Sequence, residues 1–369
     1  MAMMASSTYI AAGSKPRCLL AKSLVKANLQ NAPSFALRNT RNPKSKTAIP
    51  ISNSPPRLAP SISSSSLAHR VASPIAPNST NLKSRLAAGE TLYGLFLLSA
   101  SPTLAEIAGL SGYDYVVVDM EHGPGGIADA LPCLRALSGT GAAAILRVPE
   151  TSAPWAKKAL DLGPQGIMFP MIDDARIAEL AVSYCRFPPR GVRGSAHTVV
   201  RASAYGIDDG YVDRCEEDLL VMCQVESVAA VSEIEAIAAV EGVDCLQMGP
   251  LDLSASMGYL WDPGHKKVRA VLRDAERRVL AAKRSDAAAE GGFAAGKTSG
   301  PYLSGFAMPH DRPEDLKLRG YHMVAGAVDV GMFRKAAVED VLRFRQVETQ
   351  IGEEDGDDEN ANDKSYWSE

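Results

Sequence analysis

Short apolar runs and amphipathic stretches alternate through residues 85–350, and the alternation repeats eight times. The apolar runs read LYGLFLLS (92–99), YDYVVVDME (113–121), AAAILRV (142–148), GIMFPMI (166–172), LLVMCQVE (219–226) and DCLQMGP (244–250). Two weaker ones follow at YLSGFAM (302–308) and YHMVAGAV (321–328). They are continuously apolar, not alternating, and this predicts strands of a parallel sheet covered on both faces. Segments with a helical period lie between them: SPTLAEIAGL, with Pro102 at the first helical position after Ser101, then IADALPCLRALS, APWAKKALDLG, DARIAELAVSYC, SVAAVSEIEAIAAV and HKKVRAVLRDAERRVLAAKR. Eight such units in about 260 residues predict an α/β chain folded as a (β/α)8 TIM barrel. A doubly wound open sheet is the competing architecture; it is disfavoured because no G-x-G-x-x-G follows a strand.

Two stretches break the alternation. Residues 186–218 separate the fourth helix-like segment from the fifth strand with little periodicity, and a connection that long is expected to be an active-site lid or an interface arm. Residues 285–300 are rich in Ala and Gly and are expected to form a flexible loop before the seventh strand.

Charge marks off the two ends. No Asp or Glu precedes Glu90, yet that stretch carries 12 Lys and Arg and is rich in Ser, Ala, Asn and Pro. A basic, hydroxylated, acid-free leader is the composition of an organelle transit peptide, so residues 1–84 are expected to be a targeting segment. Ser and Thr outweigh Arg, favouring a plastid, here a chloroplast, over a mitochondrion; an N-terminus that is merely disordered is the bland alternative. From Glu90 onward there are 27 basic and 43 acidic residues, and the tail 353–369 alone holds eight acids and one Lys. That tail has too little apolar surface to offset its ordering entropy, and residues 351–369 are expected to stay disordered. No basic stripe survives outside the leader, which argues against a nucleic-acid partner, and no run of about 18 apolar residues suggests a membrane span. The six cysteines show no metal-binding spacing; several sit in apolar runs and are expected to be reduced core residues.

In a barrel of this kind the chemistry sits at the C-terminal ends of the strands. The second strand runs into Asp119, Glu121 and His122, the third ends at Arg147, and the fifth ends with Gln224 and Glu226 on one face. Asp252 follows a Gly249–Pro250 turn after the sixth strand, and Asp161 closes the helix before the fourth. Glu226 and Asp252, from neighbouring strand ends, suit a divalent cation such as Mg²⁺ or Mn²⁺ that takes one or two carboxylates and keeps its waters. Each residue also has an ordinary reading: Asp252 as a helix cap, Glu226 as a partner of Arg147, His122 as a structural histidine. Beside a pair of strand-end carboxylates, a base or proton shuttle is the better reading for His122. None of these strand ends carries a Lys, which argues against Schiff-base catalysis.

The motifs DMEHGP, LRVPE, ALDLGPQGIMFP, RFPPRGVRGSA, CQVES and MGPLDLSASMG, in that order over roughly residues 85–345, resemble those of the HpcH/HpaI aldolases. These are class II, metal-dependent aldolases acting on pyruvate-derived 4-hydroxy-2-oxo acids, among them 4-hydroxy-2-oxoheptanedioate and 2-dehydro-3-deoxyglucarate. The resemblance implies a barrel of the pyruvate-binding superfamily and a homo-hexamer of dimers that exchange their eighth helices. Its implied substrates are a 2-oxo acid and an aldehyde, and its metal is Mg²⁺ or Mn²⁺, with Co²⁺ or Zn²⁺ as alternatives. Carried over motif by motif, Glu226 and Asp252 are the metal ligands and His122 is the base. Arg147 lies on the pyruvyl oxygen, Gln224 binds substrate or water, Asp161 orients His122, and backbone N–H groups around Gly249, Pro250 and Leu251 receive the carboxylate. Three features depart from the pattern: Leu251 is bulkier than expected, Pro164 replaces a small residue, and 285–300 is expanded. Two rival readings stand beside this one: a citrate-lyase-β-like or malyl-CoA-type lyase on the same barrel, and a non-catalytic barrel that binds 2-oxo acids.

Overall fold

The computed structural model describes residues 81–282 and 300–351. The residues before 81, on which the transit-peptide expectation falls, most of the 285–300 segment and the acidic stretch beyond residue 351 lie outside the described residues. Eight parallel strands close into a barrel in chain order: β1 (Leu92–Leu97), β2 (Tyr115–Asp119), β3 (Ala143–Arg147), β4 (Gly166–Phe169), β5 (Leu220–Val225), β6 (Cys245–Met248), β7 (Tyr302–Phe306) and β8 (Met323–Val328), with β8 pairing back onto β1. The outer helices are α2 (Pro102–Leu110), α3 (Ile127–Ser138), α4 (Ala153–Asp161), α5 (Ala175–Cys185), α6 (Tyr211–Asp218), α7 (Val228–Ser232), α8 (Ile234–Ala239), α9 (Pro250–Ser256), α10 (Lys266–Ala281), α11 (Pro313–Leu318) and α12 (Asp329–Ile351). A further short helix, α1 (Leu82–Ala87), precedes the first strand.

The two-residue period of each strand sorts its side chains into two cores. Val116, Val118, Leu146 and Val221 face the helices, whereas Tyr115, Val117, Ile145, Leu220 and Met222 fill the barrel interior. Gly94 makes room for this interior layer: a Cβ there would lie 2.3 Å from the Tyr115 ring. Extending the inward phase upward along β2, β3 and β5 gives Asp119, Arg147 and Gln224, so the uppermost interior layer is polar where the layers beneath are apolar.

The opposite end is closed by α1. Leu82 and Leu86 are buried within the interior cluster, and Lys83 Nζ donates to the Leu219 carbonyl at 3.1 Å and pairs with Asp244. The folded body therefore starts before residue 85, the boundary expected from composition. This short helix carries too few periodic positions to stand out from the acid-free stretch before Glu90.

Of the two expectations for the 186–218 segment, a lid or an interface arm, the structure does not support the lid. It holds a 3-10 turn (Arg201–Gly206) and α6, and it joins the end of α5 to the start of β5. Arg193 and Arg201 donate to the carbonyls of Leu160 and Leu162 at the end of α4. Helices run antiparallel to the strands in this fold, so the whole segment lies at the N-terminal end of the barrel and forms no lid over its own strand ends. Among the described residues, no helix is long and apolar enough to cross a membrane, and the five cysteines are buried and unpaired.

Candidate active site

Asp119 and Arg147 are directly paired in the β2–β3 register, and both point into the barrel. Asp119 is 1% exposed and Arg147 8%. Arg147 Nε donates to Asp119 Oδ1 at 2.8 Å, and its Nη2 donates to Oδ2. Burial works against the Arg147 charge, but the Asp119 carboxylate outweighs it and keeps the guanidinium cationic. The remaining nitrogen, Nη1, lies 3.3 Å from Gln224 Oε1 and 2.8 Å from Glu121 Oε2. Gln224 Nε2 then donates to Glu226 Oε2 at 2.7 Å, and the Met171 amide donates to Oε1 at 2.8 Å. Glu226 is thus linked to Arg147 through Gln224 and is not its direct ion-pair partner.

Glu226 is 2% exposed, and burial, together with the nearby Glu121 and Asp252 carboxylates, pushes its pKa up to about 7. Gly249 permits this placement, because a Cβ there would come 2.4 Å from Glu226 Oε2. Burial also raises Glu121, whose Oε2 is buried without a well-aligned hydrogen-bond donor. Three carboxylates, Glu121, Glu226 and Asp252, thus share one space with a single guanidinium, Arg147, which leaves a deficit of positive charge. A divalent cation on Glu226 and Asp252 relieves that deficit, so the residues fit an oxygen-coordinated metal. The described residues contain no group of three or more His, Cys, Asp or Glu arranged to hold an ion. The fit is therefore to a site completed by water and substrate oxygens, not to a closed protein cage.

His122 stands at the rim with its side chain 60% exposed and Nε2 4.0 Å from Glu121 Oε1. Asp119 fixes the turn beneath it, accepting from the Glu121 amide at 3.0 Å and the His122 amide at 3.4 Å. Asp161 is not brought to this cluster. It ends α4 at the opposite end of the barrel, where its charged neighbours are Arg193, Lys157 and Lys158, and burial raises its pKa. Within this chain, then, Asp161 does not orient His122.

The backbone at Gly249–Leu251, expected to receive a carboxylate, offers fewer donors than that expectation implies. The Gly249 N–H is spent on the Val225 carbonyl at 3.1 Å, and Pro250 has no N–H. The first-turn N–H groups of α9 that remain are those of Leu251 and Asp252.

These groups surround a cavity of about 200 Å³ at the strand ends, lined on one side by His122, Arg147, Gln224, Glu226 and Asp252. The other side is apolar: Leu98, Leu251, Phe306, Met308 and Val328. Sequence reasoning assigned no role to Asp119 or Glu121, although both stand in the strand-end cluster. It missed the apolar wall apart from Leu251, because apolar residues at apolar strand ends carry no separate signal.

A closed parallel barrel with a buried Arg–Asp pair and a carboxylate pocket at its strand ends is an enzyme scaffold of the TIM-barrel class. The comparisons place it within that class. The family model for HpcH/HpaI aldolase/citrate lyase matches residues 92–336, and the chain belongs to this family. It is 34% identical over 270 residues to a hydroxypyruvate/pyruvate aldolase of Cupriavidus necator, covering 73% of this chain and 94% of that protein. It is 34% identical over 267 residues to a 2-keto-3-deoxy-L-rhamnonate aldolase of Escherichia coli, covering 72% and 94%. Among solved structures, an HpcH/HpaI aldolase/citrate lyase family protein from Burkholderia cenocepacia superposes with a TM-score of 0.63 at 36% identity, covering 72% of this chain and 100% of that one. The protein is a carbon–carbon lyase of the aldolase type.

Proposed function

We propose that this enzyme cleaves a 4-hydroxy-2-oxo acid reversibly into pyruvate and an aldehyde. The observation that carries the reading is the continuous polar chain Asp119–Arg147–Gln224–Glu226 across the top interior layer, ending beside Asp252. Glu226 and Asp252 would hold Mg²⁺ or Mn²⁺, with Co²⁺ or Zn²⁺ as alternatives. A bound divalent ion supplies Lewis-acid polarisation of the substrate's 2-oxo group. Arg147, held rigid by Asp119, stabilises the negative charge that develops at the 2-oxo oxygen as the C3–C4 bond breaks. His122 accepts the proton of the 4-hydroxyl, whose oxygen becomes the aldehyde carbonyl, and the electron pair of the broken bond passes toward C2. Gln224 holds Glu226 and Arg147 in register and offers its amide to substrate or water. The N–H groups of Leu251 and Asp252 face the carboxylate. Protonation at C3 completes pyruvate.

The test is pyruvate release from 4-hydroxy-2-oxo acids before and after chelation with EDTA. Undiminished turnover in metal-free buffer would overturn the metal-dependent mechanism. Acyl-CoA substrates in the same assay address the citrate-lyase-like alternative, and the aldolase names of the curated relatives favour the first reading.

Two further readings accompany this one. The exposed apolar face of α12, with Met332, Phe333, Val338, Val341, Leu342 and Phe344, supports a homo-oligomer in which that helix packs on another copy, in keeping with a hexamer. Light scattering of the purified protein tests it, with a monomer as the contrary result. The acid-free leader supports plastid import, and N-terminal sequencing of the organellar protein tests that reading.

A further inference from the structure

We propose that the acceptor half of the active-site pocket selects aldehydes bearing an apolar substituent, aliphatic or aryl, over polyhydroxylated ones. The inference rests on the aldolase reading above and adds the class of the second substrate.

The pocket has two chemically distinct walls. Most of its charged groups come from the ends of β2, β3 and β5, where Arg147, Glu121 and Glu226 are tied together through Gln224, and Asp252 adds one more from α9. Arg147 is spent on Asp119, Gln224 and Glu121, and Gln224 on Glu226. Across the cavity, Leu98 follows β1, Phe306 ends β7, Met308 lies two residues beyond, Val328 ends β8, and Leu251 comes from the first turn of α9. Apolar side chains from three strand ends and one helix thus converge on the same space. Leu98, Phe306, Met308 and Val328 are each half-buried, and Leu251 is 38% exposed, so the wall presents apolar surface to the cavity.

Gln247, a polar residue that lines the cavity, is held by its neighbours. Gln247 Oε1 accepts from Ser304 Oγ at 2.6 Å, and its amide lies 3.4 Å from the Met248 carbonyl. A hydroxyl placed against Leu98, Phe306 and Val328 would lose water without gaining a partner. A methylene placed there is removed from water at no such cost. The wall is also anchored. Asp329, 7% exposed at the start of α12, accepts from the Leu98 amide at 2.8 Å and the Ser99 amide at 3.1 Å, fixing Leu98 beside Val328. Phe306 is held edge-on to Phe96, with ring centroids 5.6 Å apart. Because the pyruvyl half is tied to Arg147 and the carboxylate pocket, the substituent on the aldehyde carbon is the part left to meet this wall.

The experiment uses the purified full chain with Mg²⁺ and pyruvate as donor. It compares kcat/KM for propanal, pentanal, hexanal and benzaldehyde with those for glycolaldehyde and glyceraldehyde. Deuterium exchange into the pyruvate methyl group is followed in parallel. The expected result is a rise of about fourfold per methylene from propanal to pentanal. Hexanal should also exceed glyceraldehyde by about tenfold or more. Leu251→Ser and, separately, Met308→Gln should each compress the hexanal-to-glyceraldehyde ratio by about fivefold or more. Equal kcat/KM across the panel, or a preference for the hydroxylated aldehydes, with methyl exchange still proceeding, would overturn the inference and leave the aldolase reading intact. Absence of both exchange and aldol product would instead overturn the aldolase reading, and the inference with it.

Discussion

Arg147 and Asp119 face each other across adjacent strands as register partners, and the carboxylate grips the guanidinium by two of its nitrogens. This leaves Nη1 as the nitrogen that Asp119 does not hold, set between Gln224 and Glu121, and removes the rotational freedom a long side chain would otherwise bring to the site. Asp119 also accepts from the amides that start the Glu121–His122 turn, so one carboxylate positions both Arg147 and the backbone that carries His122.

It follows that Asp119→Ala should damage chemistry without removing a group that touches substrate. Removing one partner of a buried pair costs about 3–5 kcal/mol, because the other charge is left buried. Urea denaturation should show a loss of that order, and methyl deuterium exchange into pyruvate should fall alongside it. Arg147→Ala should lose exchange as fully. An Asp119→Ala enzyme with wild-type exchange would show that Arg147 needs no clamp.

His122→Ala should lower kcat by about 10²–10⁴, the usual worth of a general base, with little change in pyruvate affinity. The competing base is Glu121, whose carboxyl burial pushes up and whose Oε1 lies 4.0 Å from His122 Nε2. Steady-state kinetics on His122→Ala and Glu121→Gln separate the two: retained aldol rate in the first and loss in the second would move the role to Glu121.

Metal removal has its own signature. Glu226→Gln and Asp252→Asn should each abolish Mn²⁺ binding in a calorimetric titration, and cleavage with it, while the circular dichroism of the barrel is unchanged. Binding that survives either change would mean that the ion sits elsewhere.

A pH effect on stability is expected far from the site. His322 is half-buried, its Nδ1 accepts the Leu303 amide at 3.0 Å, and burial lowers its pKa below the ordinary value of 6.5. The unfolded chain takes up a proton at about pH 6.5, but the folded one resists until a lower pH. The contribution of His322 is therefore full above that pH and is lost as the pH falls through the depressed folded value. Urea midpoints at pH 7.5 and 5.5 should show a smaller acid loss for His322→Asn, whose amide oxygen still accepts from Leu303, than for the wild type.

Much of this architecture could be read in the chain itself. All eight strands fall where continuous apolar runs predict them, and IADALPCLRALS forms α3 end to end in spite of Pro132. The errors share a cause. GIMFPMI is apolar to Ile172, yet β4 stops at Phe169, because Pro170 and a positive φ at Met171 turn the chain while leaving its hydrophobicity unchanged. SVAAVSEIEAIAAV reads as one helix but breaks at Glu233 into α7 and α8. Site residues that belong to the inward phase of a strand, Arg147, Gln224 and Glu226, came together as their spacing implied. Asp161 did not, because a helix end faces the opposite way from the strand ends, and a motif's position along the chain does not carry that direction. The role of Asp119 was hidden for a related reason: clamp and substrate contact look alike until the pairing register is known.

The helix α1 has a practical consequence. Because Leu82, Lys83 and Leu86 seal the end of the barrel remote from the pocket, anything joined to the chain ahead of Asn81 is attached on that remote side. A purification handle or an immobilising support placed there leaves diffusion of small reactants to the strand ends unobstructed. Truncation past Asn81, by contrast, would uncork the barrel from below, and the loss would register as leakage of water into its apolar interior before any catalytic group had been touched.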